Sequence, residues 1–189
     1  MYEVHLTIAA IAISAWEAFE QRAPSLGGKA MVIELARGDT PLQPMLTLGK
    51  AGKLDEVVRL AQTLSHELSQ FGYQVLRCKI EQDANANDEA AHHYFEWHGR
   101  LEVLEADRLR LAEFCQEYGG HLSQNAIRGS NKRYVTVRET DDFRQLALRV
   151  AGLRAAMSEQ GWEVGKQQWE RVVYDSNLAL DSGWLEQAK

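Results

Sequence analysis

The chain has 189 residues, of which 45% are hydrophobic and 25% are charged, values that are typical of a globular protein with a buried core. Its net charge of -6 argues against a protein that coats nucleic acid or an anionic membrane surface, so we expect neither partner. No apolar stretch approaches the roughly 20 residues of a membrane helix. No Lys or Arg precedes the apolar segment 6–16, so the sequence predicts a cytoplasmic protein without a signal peptide.

Alternating apolar and polar residues predict a strand at 2–8. A short helix at 14–22 follows, and Pro24 with the Gly27-Gly28 pair ends it. Further strands are predicted at 30–36, 45–48 and 73–81. A long helix after Gly52 carries an apolar stripe at helical spacing: Leu54, Val57, Ala61, Leu64, Leu68 and Phe71. The order of strand, helix, strand, strand, helix, strand is typical of ferredoxin-like folds.

The second half of the chain repeats this pattern. Glu96-Trp97-His98 stands 93 residues after Glu3-Val4-His5, and the long helix stripe recurs 89 residues later from Phe143. We therefore predict an α+β protein with a tandem duplicated ferredoxin-like fold, (βαββαβ)x2, in which antiparallel sheets carry helices on one face. The predicted boundaries are a first half at 1–81, a linker at 82–91, a second half at 92–170 and a C-terminal extension at 171–189.

Each predicted sheet has one apolar face beneath its helices and one polar face. The candidate polar-face residues are Glu3, His5, Thr7, Thr47 and Arg77 in the first half, and Glu96, His98, Arg100, Thr136 and Lys166 in the second. Such a face can lie in water, meet its counterpart to line a cleft, or pair between the subunits of a homodimer. We predict that these residues bind a ligand, and the basic side chains among them indicate a small anionic one.

The doubled Glu-x-His motif is the most specific candidate for chemistry. Residues i and i+2 of a strand share a face, so Glu3 with His5 and Glu96 with His98 can converge if the polar faces meet. Two histidines and two carboxylates form a donor set for zinc or another first-row metal. The same histidines, His5 and His98, are the candidate acid and base of a catalytic pair. The alternative is a hydrogen-bonded pair on each sheet surface.

Two short triplets, His5-Leu6-Thr7 and His121-Leu122-Ser123, resemble those of the two-histidine phosphoesterase superfamily. The resemblance implies that His5 and His121 act as acid and base, and that Thr7 and Ser123 bind phosphate. In the predicted repeat, the two triplets fall on non-equivalent strands, because residue 121 corresponds to Lys29 and not to His5.

The segment 128–138 is a predicted hairpin with four basic residues and no acidic one: Arg128, Lys132, Arg133 and Arg138. We expect it either to bind an acidic partner or to be a solvated turn. The leading functional prediction is a non-catalytic ligand-binding or protein-interaction module that uses the polar faces. The alternative is a small hydrolase, phosphoesterase-like or metal-dependent, with a His/Glu site between the halves. The sequence identifies no cofactor and does not decide between an enzyme and a binding protein.

Overall fold

The structure is a computed structural model that describes residues 1–85, 92–127 and 131–184. Within these residues, eight strands form one closed antiparallel barrel in the order β1-β3-β2-β6-β7-β5-β8-β4. The strands are β1 Tyr2–Ile8, β2 Lys29–Leu35, β3 Leu42–Lys50, β4 Val75–Asp83, β5 Tyr94–Glu102, β6 His121–Asn125, β7 Lys132–Glu139 and β8 Gln167–Asp175. The helices are α1 Ile13–Arg22, α2 Leu54–Gln70, α3 Arg108–Glu117 and α4 Phe143–Glu159, with short 3-10 helices at Ala23–Leu26, Glu105–Asp107 and Leu178–Asp181.

The prediction of a tandem duplicated ferredoxin-like fold with separate open sheets is wrong, because the strands close into a single barrel. Two seams close it: β2 pairs with β6, where Leu35 faces Ser123, and β4 pairs with β8, where Lys79 faces Asp175. Closure satisfies the backbone groups that the edges of two open sheets would leave unpaired. The sequence of a single strand does not indicate which distant strand will pair with its edge. The pattern of elements therefore does not predict the barrel.

The local periodicities nevertheless place the individual elements well. Strand β1 covers the predicted residues, and β3 extends the predicted segment 45–48 to Leu42–Lys50. Helix α2 begins at Leu54, and Lys53, not Gly52, is its N-cap residue. The backbone N–H of Lys53 donates to the Glu56 carboxylate at 3.1 Å, which fixes the first turn of the helix. None of the described helices has the length and apolar character that a bilayer crossing requires.

The apolar side chains lie between the barrel wall and the helices outside it. In the first half, β1, β3 and α2 contribute fully buried residues such as Leu6, Leu46 and Leu68. In the second half, Trp97 of β5 and Leu146 of α4 are fully buried in a separate cluster. Because neighbouring residues of a strand point to opposite faces, the polar residues that alternate with these side chains face the interior of the barrel.

Gly99 makes room for the buried indole of Trp97. A Cβ atom at position 99 would lie 2.3 Å from Cη2 of Trp97, well inside van der Waals contact. We expect Gly99→Ala to lower the free energy of unfolding by about 1–3 kcal/mol, because the indole must leave its packed position. Urea denaturation measures this effect. The control Gly152→Ala lies in α4 with open space around it and should stabilise the protein by up to ~1 kcal/mol. Equal stability of Gly99→Ala and the unchanged protein would contradict the packing described.

Candidate functional site

The barrel interior contains a continuous set of charged and polar side chains, which we call the interior network. It consists of Glu3, His5, Arg77, Lys79, Glu81, Tyr94, Glu96, His98, Arg138, Glu170, Asp175 and Asp181, joined by ion pairs and hydrogen bonds. The network so defined has six carboxylates against three permanent cations, and two histidines besides. The predicted polar faces therefore meet, and they do so inside one barrel.

The first triad consists of Glu3, His5 and Glu81. Nε2 of His5 lies 2.8 Å from Oε1 of Glu81 and 3.9 Å from Oε1 of Glu3. The Thr47 hydroxyl donates to the same Glu3 oxygen at 3.1 Å. The potential ligand atoms of the three residues all lie within 4.8 Å of one another. The Glu3 side chain is 40% exposed, so the triad opens to solvent at one end of the barrel.

The second triad consists of Glu96, His98 and Glu170, and its ligand atoms also lie within 4.8 Å of one another. Nε2 of His98 is 3.0 Å from Oε2 of Glu170 and 3.5 Å from Oε2 of Glu96. Nδ1 of His98 forms a 2.9 Å hydrogen bond with the hydroxyl of Thr136, the residue opposite it on β7. Glu96 is almost completely buried, and both its oxygens already contact cationic side chains, Lys79 and Arg138.

Lys79 connects the two triads. Its ammonium nitrogen lies 2.6 Å from Oε2 of Glu81 and 2.9 Å from Oε2 of Glu96. The two histidines of the doubled motif thus have separate carboxylate partners and are joined through the Glu81–Lys79–Glu96 bridge. The predicted single cluster of His5, His98 and two carboxylates is replaced by two triads with one shared counter-ion.

The two triads differ in the proton affinity of their members. Burial opposes the charge of Glu81, but Lys79 and His5 outweigh it and lower the pKa of this carboxyl far below its usual range. Burial likewise opposes the charge of His98, but the charge and hydrogen bond of Glu170, with those of Glu96, raise the pKa of His98 to about 10. Burial and the nearby Glu81 charge raise the pKa of Glu170. The second triad therefore retains a proton on His98 at neutral pH.

Two arginines form the other end of the interior network. Arg77 donates to Asp175 at 3.0 and 2.5 Å, and to the hydroxyl of Tyr94 at 2.9 Å. The Arg138 guanidinium lies 3.9 Å from the centre of the Tyr94 ring. The carboxylate of Asp181 contacts both guanidinium groups. We call Arg77 and Arg138 the arginine pair.

The remaining predicted site residues lie at the margin of the network. Thr7 is buried opposite Arg77 in the β1–β4 register, and Thr136 contacts His98 as described. Arg100 is half-buried near the end of β5, and Lys166 is exposed in the loop before β8. Arg100 and Lys166 therefore lie outside the charged cluster that the other predicted residues form.

The triplets that resemble phosphoesterase motifs do not come together around one pair of partners. His5 contacts Glu81, whereas Nδ1 of His121 lies 2.9 Å from a guanidinium nitrogen of Arg37, and its ring lies 5.8 Å from that of Trp184. Burial, with the positive charges of Arg37 and other arginines, lowers the pKa of His121 to about 4. The hydrolase alternative gains no support from this arrangement.

The basic hairpin is only partly described, since Arg128 lies outside the described residues. Arg133 pairs with Glu105 at 2.6 Å, and Arg138 pairs with Glu96 at 2.7 Å. Arg133 and Arg138 are therefore paired with carboxylates of the same chain, Glu105 at the surface and Glu96 inside the barrel, and do not form an exposed basic patch.

Sequence reasoning missed Glu81, Glu170 and Lys79 as site residues. The signals that mark them are the interior-face spacing of Arg77, Lys79 and Glu81 on β4, and the 89-residue separation of Glu81 and Glu170. Taken from the sequence alone, this separation indicates only the repeat. No local pattern marks Asp181, because it belongs to the segment that follows β8.

Comparison with known proteins gives only a distant likeness of shape. No known family matches the sequence, and no curated protein matches it significantly. A provisionally named monooxygenase from Fusobacterium nucleatum subsp. nucleatum is 10% identical over 100% of this chain and 96% of that chain, with a TM-score of 0.40. One from Lactobacillus acidophilus is 12% identical over 98% and 99%, with a TM-score of 0.37. A heme-binding protein from Thermus thermophilus is 11% identical over 90% of each chain, with a TM-score of 0.32. Likenesses this weak assign neither an activity nor a ligand to this chain.

Proposed function

We propose that this protein is a non-catalytic ligand-binding protein whose barrel binds a divalent first-row metal ion at Glu3, His5 and Glu81. The observation that carries the proposal is the convergence of one imidazole nitrogen and two carboxylates within 4.8 Å of one another. Zinc ions accept this mixture of donors at distances of about 2.0 to 2.2 Å, which small side-chain rotations provide. The remaining coordination positions are then available to water or to a small ligand.

The charge of the interior network favours a cation. In the interior network, six carboxylates face three permanent cations and two histidines, so its carboxylates outnumber its permanent cations. Charges inside a protein are costly unless an opposite charge balances them. A divalent ion at the first triad reduces this imbalance at the point where Glu3 and Glu81 approach each other.

Electrostatics select the first triad over the second. A metal ion at the second triad competes with the proton of His98, whose pKa is raised to about 10, and with two cations that contact Glu96, whereas Glu81 of the first triad contacts one, Lys79. The first triad has the carboxyl of Glu81, whose pKa is lowered, and a partly solvent-exposed Glu3 that gives a path for ion entry. The Thr47 hydroxyl orients the Glu3 carboxylate, as outer-shell groups do for metal ligands.

His5 presents one ring nitrogen to the two carboxylates of the first triad. Its Nδ1 atom is buried and has no hydrogen-bond partner within the described part of the chain, while Nε2 points at the two carboxylates. The 2.8 Å hydrogen bond to Glu81 places the proton of this ring on Nε2, so a metal ion that binds there takes the place of that proton.

Titration calorimetry with Zn²⁺ tests the proposal on three proteins: the unchanged chain, His5→Gln and His98→Gln. We expect one ion to bind the unchanged chain and His98→Gln with similar affinity. Because loss of an outer-shell partner alone costs about 10- to 100-fold, loss of a direct ligand in His5→Gln should weaken binding at least about 100-fold. Equal affinity of His5→Gln and the unchanged chain, or the absence of saturable binding in all three, would refute the proposal.

A further inference from the structure

The end of the barrel opposite the first triad is closed by a segment that is not a strand. Residues 176–184 follow β8 and include the 3-10 helix Leu178–Asp181, and we call them the C-terminal strap. Arg77 lies four residues before Glu81 on the same face of β4, so roughly 13 Å separates this end from the first triad. The strap inserts Asp181 into the barrel, where only 3% of the residue is exposed.

The Asp181 carboxylate bridges the arginine pair. Nη1 of Arg77 donates to Oδ1 at 2.8 Å, and Nη2 of Arg138 donates to Oδ2 at 2.6 Å. Each carboxylate oxygen thus has one guanidinium partner, and the two arginines come from strands in different halves of the chain, β4 and β7. Short charge-assisted bonds of this kind are the way in which proteins recognise carboxylate ligands.

Other groups hold each arginine in place independently of the strap residue Asp181. Asp175 and the hydroxyl of Tyr94 fix the guanidinium of Arg77. Two hydrogen bonds of 2.9 and 2.7 Å to Oε1 of Glu96 fix that of Arg138, which also lies over the Tyr94 ring. The arginine pair is therefore a preformed receptor for a carboxylate, and preformed sites avoid the cost of ordering side chains on binding.

Besides Asp181, several polar contacts hold the strap: Ser176 exchanges two hydrogen bonds with Cys78, and the side chain of Asn177 donates to the carbonyl of Leu76 at 3.0 Å. The backbone N–H of Asp39 donates to the carbonyl of Ser182 at 3.0 Å, and Arg37 donates to the carbonyl of Trp184 at 3.3 Å. The buried side chains of Leu180 and Trp184 supply the apolar contacts. The described residues 178–184 form no strand, and segments outside the strand ladder open at a lower free energy than the strands of a closed barrel.

We propose that the arginine pair is a binding site for a small external carboxylate, and that Asp181 occupies this site as a tethered competitor until the strap opens. An external carboxylate replaces the charge of Asp181 one for one, so the charge balance of the interior network stays the same. The strap then controls access to the site through the local concentration of its own carboxylate. This proposal uses no residue of the first triad and is independent of metal binding.

Acetate binding, measured by calorimetry in the full chain against chloride at equal ionic strength, tests the proposal. Asp181→Ala removes the competitor and leaves space for a carboxylate, and we expect it to bind acetate at least tenfold more tightly than the unchanged chain. The double variant Asp181→Ala with Arg138→Gln should lose this gain. Unchanged acetate affinity in Asp181→Ala, or an equal gain with chloride, would overturn the carboxylate site.

A second variant tests the strap without changing the site. Trp184→Ala keeps Asp181 and the arginine pair but removes the largest buried side chain of the strap. We expect its acetate affinity to lie between those of the unchanged chain and Asp181→Ala, because a looser strap competes less well. An affinity identical to that of the unchanged chain would overturn the role of the strap as a competitor.

Discussion

Replacement of Lys79 by methionine is expected to lower the free energy of unfolding by about 3–5 kcal/mol, one of the largest losses that any single substitution in this barrel should cause. The Lys79 ammonium lies between Glu81 and Glu96, both nearly fully buried, and the pKa of Lys79 is raised because these two charges outweigh its burial. Methionine fills a similar volume but leaves two buried carboxylates without their shared cation. Urea denaturation at neutral pH measures the loss.

Two further variants test whether the loss of stability in Lys79→Met comes from its contacts with Glu81 and Glu96. Lys50→Met changes an exposed lysine of β3 and should alter the free energy of unfolding by less than about 0.5 kcal/mol. Glu81→Gln in the Lys79→Met background removes the carboxylate whose permanent cation was Lys79, since Glu96 keeps Arg138, and should restore part of the lost stability. If Lys79→Met unfolds at the same urea concentration as Lys50→Met, the bridge between the triads has no energetic role.

The stability that His98 contributes is expected to decline as the pH rises from about 7 to about 10. The pKa of His98 is raised from 6.5 to about 10 in the folded protein, so the folded state holds a proton that the unfolded chain releases. The sign follows from linkage: the contribution is complete below pH 6.5 and is lost as the pH passes through the folded pKa near 10. Its size is on the order of a few kcal/mol.

The difference in unfolding free energy between the unchanged protein and His98→Gln measures this contribution together with the effect of His98 on its partners Glu96 and Glu170, whose pKa values it lowers. We expect the difference to be largest near pH 6 and to shrink steadily towards pH 10. Thr136→Val, which removes the hydroxyl partner of Nδ1, should keep the pH dependence while lowering stability at every pH. A difference that stays constant between pH 7 and pH 10 would show that His98 is neutral in the folded protein.

The sequence predicts the elements because alternation and helical spacing are local properties. The alternation of Val4, Leu6 and Ile8 with polar residues is enough to define β1 and its apolar face. This alternation does not indicate whether the polar face of β1 lies in water or packs against a second polar face. Whether an edge such as β4 stays open or pairs with β8 depends on the whole chain, so the closed barrel could not be predicted from these patterns.

The candidate site likewise depends on a local sequence motif and on contacts between residues that are far apart in the chain. The doubled Glu-x-His motif points to residues that lie in acidic clusters, but the motif alone makes the two copies equivalent. One difference between the two copies is Arg138, which contacts Glu96 and comes from a strand 42 residues further along the chain. The contacts of Arg77 and Arg138 with Asp181 also join residues that are far apart in the chain, since Asp181 belongs to a segment after the last strand.

Anomalous X-ray diffraction at the zinc absorption edge, from crystals of the unchanged protein equilibrated with Zn²⁺, tests the central claim of this account most directly. We expect one interior peak, located within coordination distance of Nε2 of His5 and of carboxylate oxygens of Glu3 and Glu81. A peak among Glu96, His98 and Glu170, or zinc only on the outer surface of the barrel, would contradict the assignment of the first triad as the ligand site.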